Sequence, residues 1–302
     1  MKVIVLGAGG IGAYYGGQLA RTGHDVTLYA RGANLEAILD RGLEIRTSEG
    51  SNVVQVAATD RVEDLAAADF AVLGVKSYSL ASIAPVVRQV AARGAAILPF
   101  LNGVETTDRL VALDVPAANI LGGVTRISVV RVQPGVVERR GAFQSVIVGE
   151  LDGRISERTS RIAAAFRESG VEARVSGRIE VDLWQKFVFI AAMAGACGLA
   201  RSPVGPLRDK PLGQRLLQRA VQEVVDVARA RGIPLPADET AQVVGAIEAL
   251  PSGTKPRFLL DLEAGGPNEL DTLSGAVSRY AQAAGIATPI HDTVTAALAP
   301  LE

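Results

Sequence analysis

The sequence predicts an α/β protein whose first half is a doubly wound parallel sheet and whose second half is entirely helical. Two observations predict this fold. Apolar, strand-like runs alternate with helical stretches from residue 3 to about residue 175, which is the pattern of successive β-α-β units. After Gly177 the periodicity is helical throughout. At 302 residues the chain is long enough for two domains, which we place at 1–177 and 178–302.

The first strand and the turn after it predict a dinucleotide site. VIVL at residues 3–6 is a continuous apolar run, as expected for a central parallel strand covered on both faces. GAGGIG follows at 7–12 and matches G-x-G-x-x-G, with a helix predicted at 13–21. In this motif Gly7 permits the turn, Gly9 lets the backbone approach a pyrophosphate, and Gly12 lets helix and strand pack closely. We therefore predict a Rossmann-type site with the phosphates at the helix N-terminus.

The end of the second strand, predicted at 25–29, indicates which dinucleotide. Enzymes selective for NAD usually carry an acidic residue there that holds the ribose 2′-hydroxyl. This strand instead runs into Ala30 and Arg31. A guanidinium can pair with the 2′-phosphate of NADP, so we predict NADP, the other interpretation being a solvated surface arginine.

The remaining elements follow the same logic. In the first half we expect strands at 70–75, 95–98 and 171–175 and helices at 80–93 and 155–169. Within 120–148 we expect short antiparallel additions broken by Pro134-Gly135 and Gly141. In the second half we expect helices at 179–199, 212–231, 237–249, 255–264, 274–284 and 292–298. Ligands commonly bind between domains, so we expect the active site in the cleft between the two halves.

Composition argues against several function classes. Lys and Arg number 31 against 32 Asp and Glu, so the chain has no bulk attraction for nucleic acid or anionic membrane. The single cysteine, Cys197, allows no disulfide framework or thiol metal cluster and fits a reducing cytoplasm. The most apolar segment, at 187–200, is shorter than a membrane span and predicts a buried core helix. His24 and His291 are expected to be surface or packing residues.

Three polar residues stand where chemistry is expected. Lys186 enters the most apolar helix, where an ammonium is costly unless it has a partner, a task or a path to water. Glu269 lies at a predicted helix N-terminus, where the dipole favours an acid in any case. Asn102 follows the strand at 95–98, at the sheet edge where ligands bind, although Asn-Gly is also an ordinary turn signal.

Together these features resemble the ketopantoate reductase family. The resemblance rests on the glycine-rich start, Arg31, VKSY around Lys76, LNG at 101–103, WQK at 184–186 and NELD at 268–271, in order along nearly the whole chain. It implies an NADP-binding Rossmann domain and a helical domain like that of 6-phosphogluconate dehydrogenase. The implied reaction is NADPH-dependent reduction of a 2-oxo acid to a 2-hydroxy acid, typically 2-dehydropantoate to pantoate in pantothenate biosynthesis.

The resemblance also assigns residue roles. Arg31 and Lys76 hold the adenosine 2′-phosphate, Asn102 sits between nicotinamide and substrate, Lys186 is the general acid, and Glu269 fixes substrate and lysine. The pyrophosphate is held by the turn formed by Gly7, Ala8, Gly9, Gly10, Ile11 and Gly12.

The substrate side departs from the family pattern. Ile190 and Ala194 stand where the family has asparagines, Arg257 where it has a serine, and Leu101 where it has glutamine. Ile190, Met193 and Ala194 predict a substrate site with a more apolar wall. Arg257 is expected to pair with the substrate carboxylate. Two alternatives stay open: a reductase for a more apolar 2-oxo acid or an imine, and a non-catalytic NADP-binding sensor. A homodimer through the helical domain is also expected.

Overall fold

The computed structural model describes residues 1–299; residues 300–302, which fall in the predicted second domain, lie outside the described residues. The chain divides into two compact units, Met1–Leu101 with Thr106–Ile179 and Asn102–Glu105 with Glu180–Glu302. The domain bounds 1–177 and 178–302 stay a prediction. The observed units differ from these bounds chiefly in one respect: the short segment Asn102–Glu105 groups with the C-terminal unit.

The first unit alternates strands and helices. In chain order its elements are β1 (Lys2–Leu6), α1 (Gly10–Arg21), β2 (Asp25–Tyr29), α2 (Gly32–Arg41), β3 (Leu43–Thr47), β4 (Gly50–Val54), β5 (Ala57–Thr59), β6 (Phe70–Leu73), α3 (Leu80–Ala92), β7 (Ala96–Pro99), α4 (Thr106–Ala112), β8 (Gly122–Gln133), β9 (Val136–Gly149), α5 (Glu157–Glu168) and β10 (Glu172–Val175). The sequence missed α2, α4 and the short strands β3, β4 and β5, of which β4 is largely exposed and β5 has only three residues.

Five parallel strands, in the order β5-β2-β1-β6-β7, form the first sheet and confirm the predicted fold class. Its central strand, β1, is buried from Val3 to Leu6, which explains why the run is apolar at every position. Leu6 lies opposite Tyr29 of β2 and Leu73 of β6. The carboxyl ends of three neighbouring strands therefore meet at one edge, the edge where ligands of such sheets bind.

Residues 120–148 were predicted to form short antiparallel strands; they are antiparallel, but the strands are long. This region forms one long antiparallel hairpin, β8 and β9, in a second sheet with β3, β4 and β10. Pro134-Gly135 is the hairpin turn, with Gly135 at φ 75°. Gly141, at φ 80°, lies where the β8–β9 register shifts by a bulge. The glycines that suggested strand breaks are therefore a turn and a bulge within one hairpin.

The second unit is helical, as predicted. Its helices are α6 (Ile179–Ala200), α7 (Val204–Arg208), α8 (Pro211–Ala230), α9 (Glu239–Glu248), α10 (Arg257–Glu263), α11 (Ser274–Ala284) and α12 (Pro289–Leu298). The sequence missed α7, a helix of five residues. Helix α12 begins three residues before its predicted start, with Pro289 in its first turn, where a missing N–H costs no hydrogen bond.

Helix α6 is long and apolar enough to cross a membrane by length and composition, but 61% of its most apolar window is buried inside the protein. Val188, Ala191 and Ala192 are fully buried among side chains of the other helices. Helix α6 extends beyond the apolar stretch at 187–200, so its length does not distinguish a core helix from a membrane span. Its burial identifies it as a core helix. The predicted core helix is confirmed.

His291 is fully buried and packs within the helical core. Its Nδ1 lies 3.1 Å from Ser274 Oγ and its Nε2 3.1 Å from the carbonyl oxygen of Ala220. Burial lowers the pKa of His291 to about 4, so the ring is neutral at pH 7 and has its polar atoms satisfied. Of the two predicted alternatives, surface and packing, His291 is a packing residue.

Candidate active site

The glycine-rich turn joins β1 to α1 and leaves the start of α1 open. Gly7 adopts φ 100°, a conformation that side chains disfavour. Gly9 is the N-cap of α1; no side chain caps this helix, and its first turn contains no acidic residue. The first N–H groups of a helix have no partner within the helix. They are available here for a phosphate, which the helix dipole also favours.

A methyl group added at each glycine of the motif shows what the motif leaves room for. At Gly12 it would clash with the carbonyl oxygen of Gly7, and at Gly7 it would lie 2.6 Å from Val75 Cγ1. At Gly9 the nearest protein atom would be Gly74 O, at 3.7 Å. Protein packing thus requires glycine at positions 7 and 12 but not at 9. The backbone at Gly9 is therefore open to a close approach by a ligand, which is the role the motif predicts for this glycine.

The sequence missed a buried amide that braces this turn. Asn34, in the first turn of α2, donates through Nδ2 to the carbonyl oxygen of Ala8 at 3.0 Å. Its Oδ1 accepts from the N–H of Gly135, in the β8–β9 turn, at 2.9 Å. Val129 of β8 also approaches Gly10, where an added methyl would lie 2.9 Å from its carbonyl oxygen. No periodicity in the sequence indicates this long-range pairing, because it depends on the hairpin reaching the turn.

The two predicted cations follow neighbouring strands of the first sheet. Arg31 is exposed and is the N-cap residue of α2, two residues after β2 ends. Its Nη2 donates to the hydroxyl of Tyr29 at 3.2 Å, and its guanidinium lies 5.4 Å from the centre of that ring. Lys76 is half-buried and is the N-cap residue of a short 3₁₀ helix after β6. Both strands flank β1, so both cations occupy the edge at which the glycine turn lies.

In the second unit the structure joins two predicted residues that are far apart in sequence. The Nδ2 of Asn102 donates to Oε2 of Glu269 at 3.2 Å. Glu269 is only 4% exposed. It lies in the loop between α10 and α11, and α11 begins five residues later at Ser274, so the predicted placement at a helix N-terminus is wrong. A hydrogen-bond donor, rather than a helix dipole, accounts for the buried carboxylate.

The residue before Glu269 carries a feature that the sequence did not reveal. Asn268 is 7% exposed, and its Oδ1 accepts from the N–H of Leu270 at 2.9 Å. Its Nδ2 is buried and has no hydrogen-bond partner among residues 1–299. A buried donor without a partner costs about 1–3 kcal/mol. Such unpartnered buried donors are rare in folded proteins.

Lys186 lies on α6, half-buried between Trp184 and Phe187 in sequence. Those two rings are nearly fully buried and meet edge to face at 5.5 Å, which fixes the first turns of the helix. Ile190, one turn beyond the lysine, is partly buried, and Ala194 is fully buried. Met193 is buried as well. The face of α6 that continues from Lys186 is therefore apolar, and its place in the wall of a substrate site stays a prediction.

Arg257 is exposed at the start of α10. Its Nε donates to Oδ1 of Asp261, one turn further along the helix, at 3.0 Å. Its predicted pairing with a substrate carboxylate stays a prediction, since a substrate anion would have to compete with this carboxylate.

Among residues 1–299, no group of three or more His, Cys, Asp or Glu side chains is arranged to hold a metal ion. Cys197 is buried in the helical core, and burial raises the pKa of its thiol to about 11. The thiol is thus protonated at neutral pH and is a poor nucleophile.

Comparison with known proteins matches both halves of the chain to one family. Residues 3–153 match the family model of ketopantoate reductase PanE/ApbA, and residues 178–302 match the model of its C-terminal domain. The oxidoreductase YkpB of Bacillus subtilis is 31% identical, covering 99% of this chain and 98% of the relative. A 2-dehydropantoate 2-reductase of Halobacterium salinarum is also 31% identical, covering 97% and 96%.

A solved structure extends the likeness to three dimensions. The PanE/ApbA family ketopantoate reductase of Ralstonia eutropha superposes with a TM-score of 0.90 at 29% identity, covering 100% of this chain and 98% of that one. Two family models span both halves of the chain, and full-length relatives reach 31% identity. The chain belongs to the ketopantoate reductase family of oxidoreductases.

Proposed function

We propose that this protein is a cytoplasmic 2-dehydropantoate 2-reductase that uses NADPH to convert 2-dehydropantoate to pantoate. The observation that carries the proposal is the hydrogen bond between Asn102 and Glu269, 167 positions apart in sequence. It pairs the residue assigned to the nicotinamide and substrate with the residue assigned to substrate and lysine. The relative from Halobacterium salinarum bears the name of this activity. We further propose a homodimer joined through the helical half.

The cofactor fits the residues of the first unit. Bound NADPH supplies the hydride that reduces the substrate carbonyl carbon. The turn from Gly7 to Gly12 presents open backbone N–H groups to the pyrophosphate, because no side chain caps α1. Arg31 and Lys76 supply positive charge for the 2′-phosphate, and Tyr29 holds the guanidinium through its hydroxyl.

The proton comes from Lys186. When the carbonyl carbon gains a hydride, its oxygen becomes an alkoxide that needs a proton and a nearby positive charge. The ammonium of Lys186 provides both: its N–H bond breaks, a new O–H bond forms, and the neutral amine regains a proton from water. Glu269 is assigned to hold the lysine and the substrate in place. Asn102 fixes the orientation of the Glu269 carboxylate.

A second candidate substrate class is a more apolar 2-oxo acid. Ile190 and Ala194 offer no hydrogen bond where the family pattern has amides, and Ala194 is buried in the core. The name of the Halobacterium salinarum relative favours the hydroxylated substrate instead. A site built to bind a hydroxyl discriminates strongly against analogues that lack it.

A substrate panel separates these candidates. We expect NADPH oxidation with 2-dehydropantoate, with a higher kcat/KM than with smaller 2-oxo acids that lack its hydroxymethyl group, such as 2-oxoisovalerate. A higher kcat/KM for 2-oxoisovalerate would establish the apolar alternative. If NADPH binds tightly but no 2-oxo acid or imine oxidises it, the protein is a sensor rather than a reductase.

Cofactor preference tests Arg31. Because a hydrogen bond to a charged group contributes about 1.5–3 kcal/mol, Arg31→Ala should weaken NADPH binding by about 10–100-fold. NADH binding should change by less than about twofold, since NADH has no 2′-phosphate. Fluorescence titration with both cofactors measures this. Arg21→Ala, an exposed arginine at the end of α1, is the control and should change neither affinity; equal losses for both cofactors in Arg31→Ala would contradict the assignment.

A further inference from the structure

The segment Asn102–Glu105 is held against the loop that carries Glu269, although more than 160 residues separate them. It groups with the helical unit rather than with the sheet that precedes it in sequence. Its first contact is the hydrogen bond from Asn102 to Glu269 at 3.2 Å. That bond alone is a single contact between two loops, so further contacts must fix their relative position.

Gly103 provides the second contact. It adopts φ 95°, and a methyl group added to it would lie 2.9 Å from the carbonyl oxygen of Thr272. The backbone of the segment thus approaches the Glu269 loop more closely than any residue with a Cβ allows. This close approach gives the glycine of the Asn-Gly pair a role beyond turning the chain.

Arg279 provides the third contact and ties both loops to helix α11. Its Nε and Nη2 donate to the two carboxylate oxygens of Glu105 at 3.2 and 2.7 Å. Its Nη1 donates to Oδ1 of Asp271 at 2.5 Å, and its Nη2 donates to the backbone oxygen of Asp271 at 2.8 Å. One guanidinium therefore bridges the end of the Asn102 segment and the residue two positions after Glu269. The planar fork of arginine makes this geometry specific.

The burial of these groups suits a positioning role. The Glu105 side chain is only 13% exposed, whereas those of Arg279 and Asp271 are about half exposed. The carboxylates of Glu105 and Asp271 raise the pKa of Arg279, with the Glu105 hydrogen bonds the larger cause. The guanidinium of Arg279 is hence charged throughout the pH range in which enzymes work. Exposed ion pairs alone contribute little to stability. The main effect of this bridge is therefore to fix the position of Glu105 relative to Asp271.

We propose that the bridge Glu105–Arg279–Asp271 is a positioning device that sets the hydrogen bond between Asn102 and Glu269, and with it the rate of 2-oxo acid reduction. The inference rests on the proposed function for its kinetic consequence. Misplacement of reacting groups by about 1 Å can lower a rate by about 100-fold. Arg279 and Glu105 act through Asn102 and Glu269 and need not touch the substrate.

Two conservative variants test the device. Arg279→Lys keeps the charge but cannot bridge both carboxylates with a planar fork, and Glu105→Gln keeps the shape but removes the charge. Each should lower kcat by about 10-fold or more, with NADPH affinity unchanged within about twofold. In an Asn102→Ala background, Arg279→Lys should lower kcat by less than about twofold further, because the bond it positions is already lost.

A second readout does not depend on catalysis. Amide hydrogen exchange at residues 102–105 should speed up in Arg279→Lys and Glu105→Gln. It should stay at the wild-type rate in Arg88→Met, which removes an exposed ion pair with Asp114 in the other unit. Unchanged exchange in both bridge variants would overturn the proposal, and so would full additivity of Arg279→Lys with Asn102→Ala. A wild-type protein that reduces no 2-oxo acid would refute the proposed function, while the exchange rates would still decide whether the bridge holds the segment.

Discussion

Replacing Lys186 with alanine is expected to abolish reduction while leaving NADPH affinity nearly unchanged. A general acid contributes about 10²–10⁴-fold to a rate, so kcat/KM of the variant should be lower than that of the wild type by a factor of this size. The cofactor phosphates are assigned to the first unit, and Lys186 lies on α6 of the second. Its loss should therefore not change the NADPH dissociation constant by more than about twofold. Stopped-flow absorbance and fluorescence titration measure the two quantities.

The control for this prediction is Lys210→Ala. Lys210 is exposed and precedes α8, so its removal should leave kcat/KM unchanged. Added methylamine should restore part of the activity of Lys186→Ala, because it supplies an ammonium where the side chain was removed. A Lys186→Ala variant with wild-type kcat/KM would show that another group delivers the proton. A Lys186→Ala variant with a raised KM but an unchanged kcat would favour a role for Lys186 in substrate binding.

The strands could be predicted from sequence where they are buried on both faces. β1, β6 and β7 are covered on both faces, so their residues are apolar at consecutive positions and the strands are recognisable. β4 is largely exposed and β5 has only three residues, so neither carries a pattern that distinguishes it from loop. The β8–β9 hairpin was misjudged because Pro134, Gly135 and Gly141 suggest breaks. A turn and a bulge within a sheet carry the same residues as the end of a sheet.

Site residues could be predicted only where a short motif gives a physical reason for each of its residues. The turn at Gly7–Gly12 is such a motif, since each glycine has a separate steric reason. Asn34 and Arg279 had no such signal. Each acts by joining segments about 100 or more residues apart, from Asn34 to Gly135 and from Arg279 to Glu105. An isolated asparagine or arginine in a helix has the same local sequence whether or not it makes such a contact.

The glycines also allow cofactor binding to be separated from folding. Gly12→Ala places a methyl group against the backbone oxygen of Gly7. Overpacking of this kind costs about 1–3 kcal/mol or more, so this variant should lose both stability and cofactor affinity. In Gly9→Ala the new methyl meets only Gly74 O, at an ordinary 3.7 Å. The backbone at Gly9, with φ −77° and ψ −166°, is one that alanine adopts without strain.

Gly9→Ala should therefore fold with the wild-type unfolding temperature and bind NADPH about 10–100-fold more weakly, the cost of losing one charged hydrogen bond to the pyrophosphate. Differential scanning fluorimetry with and without NADPH measures both effects. Gly245→Ala is the matched control, because an added methyl there meets no atom within 4 Å and the residue lies in α9. It should keep full affinity and gain slightly in stability, as alanine favours helix. Wild-type NADPH affinity in Gly9→Ala would mean that the pyrophosphate does not approach this turn, and the cofactor would then have to bind elsewhere.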